Sequence, residues 1–295
     1  MTAALAFVRR ARSRKWLRRS VVEGGSVVLC AAVLIWSLLP IYNLLSIALD
    51  PEEGEVEFDG NIWPPEPSLE GFRSAVMQEA RYLEHFWHLY GNSLYIGVAT
   101  MVLTVLVGSL ASFAVSRLRL GKGPLLTNAA IVTYAIPSSF LIVPYYRIMH
   151  TYGLLGNHWA VITAQVAFAT PFAILIMQLY GSLIPHELDD AARVDGATPV
   201  QLYWRIFLPL MAPALAVAAI FALLLSWNDY LYQSVLLSVE NMTLSVTQGQ
   251  LFEDTDAPWN AMMAAAIVYV VPPVLLLLAL RRYVAASLSI SGVER

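Results

Sequence analysis

The sequence predicts an all-α polytopic membrane protein with six transmembrane helices, and three observations carry that prediction. First, 58% of the 295 residues are hydrophobic and only 13% are charged, whereas soluble domains carry about a quarter charged residues. Second, six stretches reach the roughly 20 mostly apolar residues a helix needs to cross a bilayer. They lie at about 27–49, 93–115, 125–149, 159–180, 210–231 and 261–280. Third, the basic residues segregate. With both termini in the cytoplasm, three of the 18 lysines and arginines, Arg73, Arg81 and Arg147, are left on the far side. That asymmetry sets orientation.

The elements follow in order. A basic arm, 1–25, carries Arg9, Arg10, Arg12, Arg14, Lys15, Arg18 and Arg19. The apolar run after it is too long for a signal core and no small-x-small cleavage site ends it. It therefore reads as a retained first span, and the arm as an orientation signal rather than a nucleic-acid contact. Cys30 is the only cysteine, so no intrachain disulfide forms. The loop at 50–92 is acidic, then proline-rich. Its second half, from Ser68, predicts a helix lying on the membrane surface through Phe72, Val76, Tyr82, Phe86 and Trp87. His85 and His88 bring no further ligands, so no metal site is expected. The third outer loop, 232–260, holds Glu240, Glu253, Asp254, Asp256 and a glycosylation sequon at Asn241. Pro137, Pro144, Pro171, Pro272 and Pro273 predict kinks in the third, fourth and sixth spans. A short cytoplasmic tail, 285–295, ends a membrane domain that runs over 26–284.

The cytoplasmic segment 181–209 interrupts this apolar pattern. Pro185 suits a helix start. Glu187, Asp189 and Asp190 fall in the first turns, where carboxylates favour the positive end of the helix dipole. Ala191 and Ala192 give a low-relief face. Gly196 suits a left-handed helix end. Thr198, Pro199 and Gln201 form a capping-box pattern for a second helix that carries Leu202, Tyr203, Ile206 and Phe207.

This segment resembles the signature loop of ATP-binding-cassette (ABC) importer permeases: Glu-Ala-Ala, three residues, Gly, nine residues, Ile-x-Leu-Pro. The matches are Asp190-Ala191-Ala192, Gly196, Ile206 and Leu208-Pro209, with every spacing kept and Asp standing for Glu at 190. Such a set arises by chance about once in a million starts. More of the chain is similar to the six-span subunit of maltose-type sugar permeases, from the first span to the C-terminus. Its "SWNDYLYQSVLL" looks like that family's Trp-Asn-acidic stretch.

The resemblance implies a cytoplasmic coupling helix between helices 4 and 5, in which Glu187, Asp190, Ala191, Ala192, Asp195, Gly196, Ile206, Leu208 and Pro209 engage an ATPase. It implies a subunit of an importer in a bacterial inner membrane, moving a sugar from a periplasmic or lipid-anchored solute-binding protein to the cytoplasm. The partners implied are a second homologous permease chain, a cytoplasmic ATPase dimer and membrane lipid. ATP and Mg belong to the ATPase, and no cofactor is expected on this chain, which has no G-x-x-x-x-G-K-[ST] loop to hold phosphates.

Candidate pathway residues are Trp227, Asn228, Asp229, Tyr230 and Tyr232, where aromatic faces and polar groups suit a polyol, with Tyr134 and Gln178; Tyr95, Ser138, Ser139 and Gln165 are further polar groups able to line it. Gln248, Gly249 and Gln250 occupy the place where such a subunit reaches its binding protein. Glycerol phosphate or a sulfonated sugar is the alternative solute, because Arg147 and His150 lie near the outer mouth. An ion-coupled carrier is the alternative mechanism, although these spans place no carboxylate at mid-membrane. No nucleophile, metal cluster or acid pair points to a membrane enzyme.

Overall fold

A backbone in lipid must satisfy its own hydrogen bonds, and apolar runs do so as helices. The computed structural model describes residues 2–51, 63–79, 83–118, 123–251 and 258–290. In chain order its helices are α1 (Thr2–Ala48), α2 (Glu70–Val76), α3 (Phe86–Arg117), α4 (Gly123–Tyr134), α5 (Ser138–Thr151), α6 (His158–Gly181) and α7 (Glu187–Val194). They continue with α8 (Pro199–Leu202), a π-helical turn (Tyr203–Phe207), α9 (Leu208–Leu210), α10 (Ala212–Trp227), α11 (Leu231–Leu236), α12 (Leu244–Leu251), α13 (Trp259–Tyr269) and α14 (Val271–Ile290). Extended pairing among the described residues is limited to a parallel bridge between Gly156 and Leu237.

The chain divides into two compact units, Met1–Arg73 with Pro258–Ile267, and Ser74–Ala257 with Val268–Arg295. In the first, the apolar length of α1, Val22–Ala48, buries none of its most apolar window, as suits contact with lipid. Beyond its end the Ser68 N–H donates to Leu49 O at 2.8 Å, and Asn260 Nδ2 donates to Asp50 O at 3.1 Å.

In the second unit α3, α6 and α10 pack on one another, α4 lies against α6, and α14 lies against α10. Small residues make the close approach possible: Ala160, Ala164 and Ala173 of α6 and Ala214, Ala218 and Ala222 of α10 are buried. Where hydrophobicity gives no preference for protein over lipid, such small side chains let helices pack tightly. One core cluster centres on Ile96, Ile162 and Leu236. A second centres on Phe113, Met177, Leu202 and Phe207.

Part of the expected six-span pattern is present among the described residues. Four described helices are long and apolar enough to cross a membrane: Val22–Ala48, α3, α6 and Trp259–Val284. A fifth is reached if Pro199–Leu210 and Ala212–Trp227, bent by 78°, count as one. The expected third span is two helices, α4 and α5, which break before Pro137. Proline disfavours helical geometry in the residue before it, and here that residue is Ile136. Pro144 and Pro171, in contrast, stay inside α5 and α6. The expected surface helix is also divided. α2 ends at Val76, and Phe86 and Trp87 form the first turn of α3, where the Trp87 indole N–H donates to Val76 O at 2.9 Å. Tyr82, Glu253, Asp254, Asp256 and residues 291–295 lie outside the described part of the chain.

Candidate functional site

Between α6 and α10 the local structure follows from the residues. α7 opens at Glu187, two positions after Pro185, with Glu187, Asp189 and Asp190 in its first turn. Its end is set by Gly196, whose φ is +81°. The Ala197 N–H reaches Ala192 O at 2.9 Å and the Gly196 N–H reaches Arg193 O at 3.0 Å. These two bonds make a Schellman end, which needs a left-handed residue at the position of Gly196. α8 begins at once. Thr198 Oγ1 accepts from the Gln201 N–H at 3.3 Å, and Gln201 Oε1 accepts from the Thr198 N–H at 2.8 Å. The capping box is therefore complete.

A helix of this length does not hold together by itself in water. Arg117, the last residue of α3, supplies the tether. Its Nη1 donates to Asp189 Oδ2 at 2.8 Å and to His186 Nδ1 at 3.0 Å. Its Nη2 donates to the carbonyls of Gly181 at 3.2 Å and Ile184 at 3.3 Å. Both members of the ion pair are buried, with side chains 2% and 9% exposed. Because arginine has no acceptor, the His186 Nδ1 is the acceptor of this bond. Arg193 returns the contact, as its Nη2 donates to Arg117 O at 2.9 Å. A cation there also favours the negative end of α3. Further along α3, Ser109 Oγ donates to Leu106 O, so the Tyr203 hydroxyl donates to Ser109 at 2.7 Å. Phe113 meets Tyr203 and Phe207 edge-on, with ring centroids 5.3 and 5.2 Å apart.

Opposite these contacts the loop presents a surface. Glu187, Asp190, Ala191, Asp195, Gly196 and Pro209 are exposed, whereas Ala192, Ile206 and Leu208 pack on the second core cluster. Asp190 pairs within its own helix, 3.4 Å from Arg193. Large apolar side chains stand beside these polar ones: Val194 is 88% exposed, Val200 67% and Trp204 60%.

A second constellation lies past the far end of α10. Gln165 Oε1 accepts from Thr100 Oγ1 at 3.0 Å and from Ser226 Oγ at 2.7 Å, while its Nε2 donates to Asp229 Oδ2 at 2.8 Å. Asp229 Oδ1 accepts from the Tyr232 N–H at 3.2 Å. Gln165 is thus a hub joining α3, α6 and the end of α10. The named candidates separate around it. Trp227 is buried and stacks on Tyr269 with centroids 4.6 Å apart. Tyr232 is buried and donates to Ser138 O at 2.7 Å. Asn228 and Tyr230 are exposed. Gln178 lies apart from them and donates to Thr127 Oγ1 at 2.8 Å. Tyr134 ends α4, and its side chain lies outside the described part. A cavity of about 590 Å³ opens where α4 and α5 part, lined by Ile136, Pro137, Ser138, Phe168 and Leu225 among others.

α12 carries Gln248, Gly249 and Gln250. Gly249 lies against the Tyr230 ring, so closely that a Cβ would sit 2.4 Å from Cε2. Gln248 is half-buried and Gln250 is exposed. Among the described residues no group of three or more His, Cys, Asp and Glu could hold a metal ion.

Residues 104–290 match the family described as binding-protein-dependent transport system inner membrane component. The chain belongs to that family. This permease is similar to the inner membrane ABC transporter permease protein YcjP of Escherichia coli (strain K12), with 30% identity over 94% of this chain and 98% of the relative. It is also similar to the trehalose transport system permease protein SugB of Mycobacterium tuberculosis (strain CDC 1551 / Oshkosh), with 31% identity over 90% and 96%. Its fold is that of a chain in the crystal structure of a bacterial ABC transporter involved in the import of the acidic polysaccharide alginate. There the TM-score is 0.69 and the identity 19%, over 88% of this chain and 96% of that one. The permease is thus a multi-pass inner-membrane transport component.

Two residues of this permease hold places that sequence alone does not give. Gln165, expected as a group able to line the pathway, is instead buried and bonded to three side chains, and Arg117 is buried at the end of α3. Arg117 looks like one more orientation charge, and Gln165 like one more polar residue in a span. Their partners come from segments 60 or more residues away.

Proposed function

We propose that this chain is the permease subunit of an ABC importer that passes a sugar from a binding protein to the cytoplasm by ATP-driven alternating access. The observation that carries the proposal is the loop geometry. The stretch matching the signature pattern folds as α7, with a Schellman end at Gly196 and a capping box directly after it. Its exposed face mixes apolar and acidic side chains, as a surface meant for a protein partner does. The solute class rests on the trehalose permease relative and on the aromatic and amide groups around Asp229.

In this reading both termini are cytoplasmic and six spans cross the membrane, with α4 and α5 together forming a broken third. α7 is a coupling helix that seats in a cleft of a separate ATPase subunit, which binds ATP and Mg. An ATPase dimer offers two clefts and this chain one plug, so a second permease chain completes the pathway. Closure of the dimer around ATP carries α7 with it and turns the cavity from the cytoplasm to the periplasm. The ATPase can bias that equilibrium only by its difference in affinity for the two states. Asn228, Asp229 and Tyr230 border the pathway, with Trp227 and Tyr232 packed behind them. Gln250, exposed on α12, is the residue nearest to hand for the binding protein.

The test is Gly196→Asp in the assembled transporter. The expected result is normal insertion with loss of the ATP hydrolysis that the loaded binding protein stimulates. Unchanged stimulation would overturn the docking role of α7.

A further inference from the structure

Ser109, Phe113 and Arg117 are spaced four residues apart on α3 and therefore share one face. Each meets the 181–210 loop. Ser109 bonds Tyr203, Phe113 packs on Tyr203 and Phe207, and Arg117 holds Asp189. Arg117 also gathers His186 and the carbonyls of Gly181 and Ile184, which form the chain leading into α7. Arg193 closes the ring from α7 back to the last carbonyl of α3. In chain order α7 is joined to α6 and α10. In space its firmest polar attachment is to α3.

We infer that Arg117 and Asp189 are positioning residues that latch the coupling helix to α3, so that α3 serves as a lever for the movement the ATPase imposes. This rests on the reading of α7 as the coupling helix. The physical argument is one of stiffness. A movement passed through the turn at Ser182–His186 alone would be absorbed by that turn. A buried guanidinium with partners on both sides of the turn removes that slack. Removing one partner of a buried ion pair leaves the other charge unpaired in a dry site, so the latch does not slip by small steps. The ATPase would therefore still bind a latch-broken transporter, yet its stroke would no longer reach the spans.

The experiment uses the full transporter in lipid nanodiscs. Asp189→Ala breaks the latch, and Asp189→Asn keeps an acceptor for Arg117 while removing the charge. Two readouts are taken: the ATPase retained by the complex, and the ATP hydrolysis stimulated by loaded binding protein. Stimulation is expected to fall at least about fivefold in Asp189→Ala, the lower end of allosteric coupling, and less in Asp189→Asn, with ATPase retention unchanged in both. A third readout is the distance distribution between spin labels at Leu118 and Val194, both exposed, after Cys30, the one native cysteine, is replaced by serine. It should broaden in the same order.

Gly196→Asp serves as the control in the same assay. If it uncouples while both Asp189 variants keep wild-type stimulation and a narrow distribution, the latch is wrong and the coupling reading stands. If Gly196→Asp itself leaves stimulation intact, the coupling reading fails and the latch with it. Should Asp189→Ala not accumulate in the membrane, the width measured in Asp189→Asn decides: broadening supports the latch and a wild-type width overturns it.

Discussion

Gly196 separates the two properties that a glycine in this loop could supply, backbone freedom and room for a partner. Its φ is +81°, and a Cβ built on it meets no atom within 4 Å. Within the chain, then, a side chain at 196 costs conformation and not packing. An alanine there costs about 1–2 kcal/mol. Asparagine tolerates the left-handed region far better and should recover most of that loss, although it is the larger residue. A loss of 1–2 kcal/mol changes the opening of the helix end about 5- to 30-fold. Hydrogen exchange on the peptide covering 187–198, in the permease without its ATPase, reads this directly. Gly196→Ala should exchange faster by that factor, and Gly196→Asn should stay near wild type. In the assembled transporter the order should reverse, because a cleft closing on residue 196 penalises size. If asparagine exchanges as fast as alanine, or alanine as slowly as glycine, the conformational argument for this helix end is refuted.

Two further predictions concern the opposite end of α10. Trp227→Ala should empty a buried, stacked site and cost about 3–5 kcal/mol, read as reduced thermal stability of the detergent-solubilised permease. Asp229→Asn keeps one acceptor oxygen where the carboxylate uses two, for Gln165 Nε2 and the Tyr232 N–H. It should therefore lose one hydrogen bond at about 0.5–1.5 kcal/mol, well below the cost of Trp227→Ala, and lower uptake. Gly249→Ala would place a Cβ 2.4 Å from the Tyr230 ring. Overpacking of this kind costs about 1–3 kcal/mol. Adding Tyr230→Ala should restore the melting temperature, and a double variant no more stable than Gly249→Ala would refute the contact.

Much of this protein was legible in its residues because the information is local. Lipid forces apolar runs into helices, so the helical class follows from composition and run length. The loop grammar is equally local. Thr198, Pro199 and Gln201 write a capping box within four positions, and Gly196 writes a left-handed stop. What the residues left open is long-range. Proline stays inside α5 and α6 at Pro144 and Pro171 but divides the third expected span at Pro137, and by sequence all three positions carry the same expectation of a kink. Trp227, Tyr230 and Tyr232 are all aromatic residues with a polar group, yet Trp227 and Tyr232 are buried and Tyr230 is exposed.

The sequence by itself determined that this chain lives in a bilayer, that it carries a conspicuous polar interruption, and how that interruption begins and ends its short helices. Only the tertiary structure decided what holds the interruption in place. Arg117 and Asp189 stand 72 residues apart, and nothing in the spacing of charges reveals that one ends a span and the other faces it. Burial makes the difference: an exposed arginine is an orientation signal, whereas a buried one needs partners, and the groups that pair with the Nη1 and Nη2 of Arg117 fix α7 to α3.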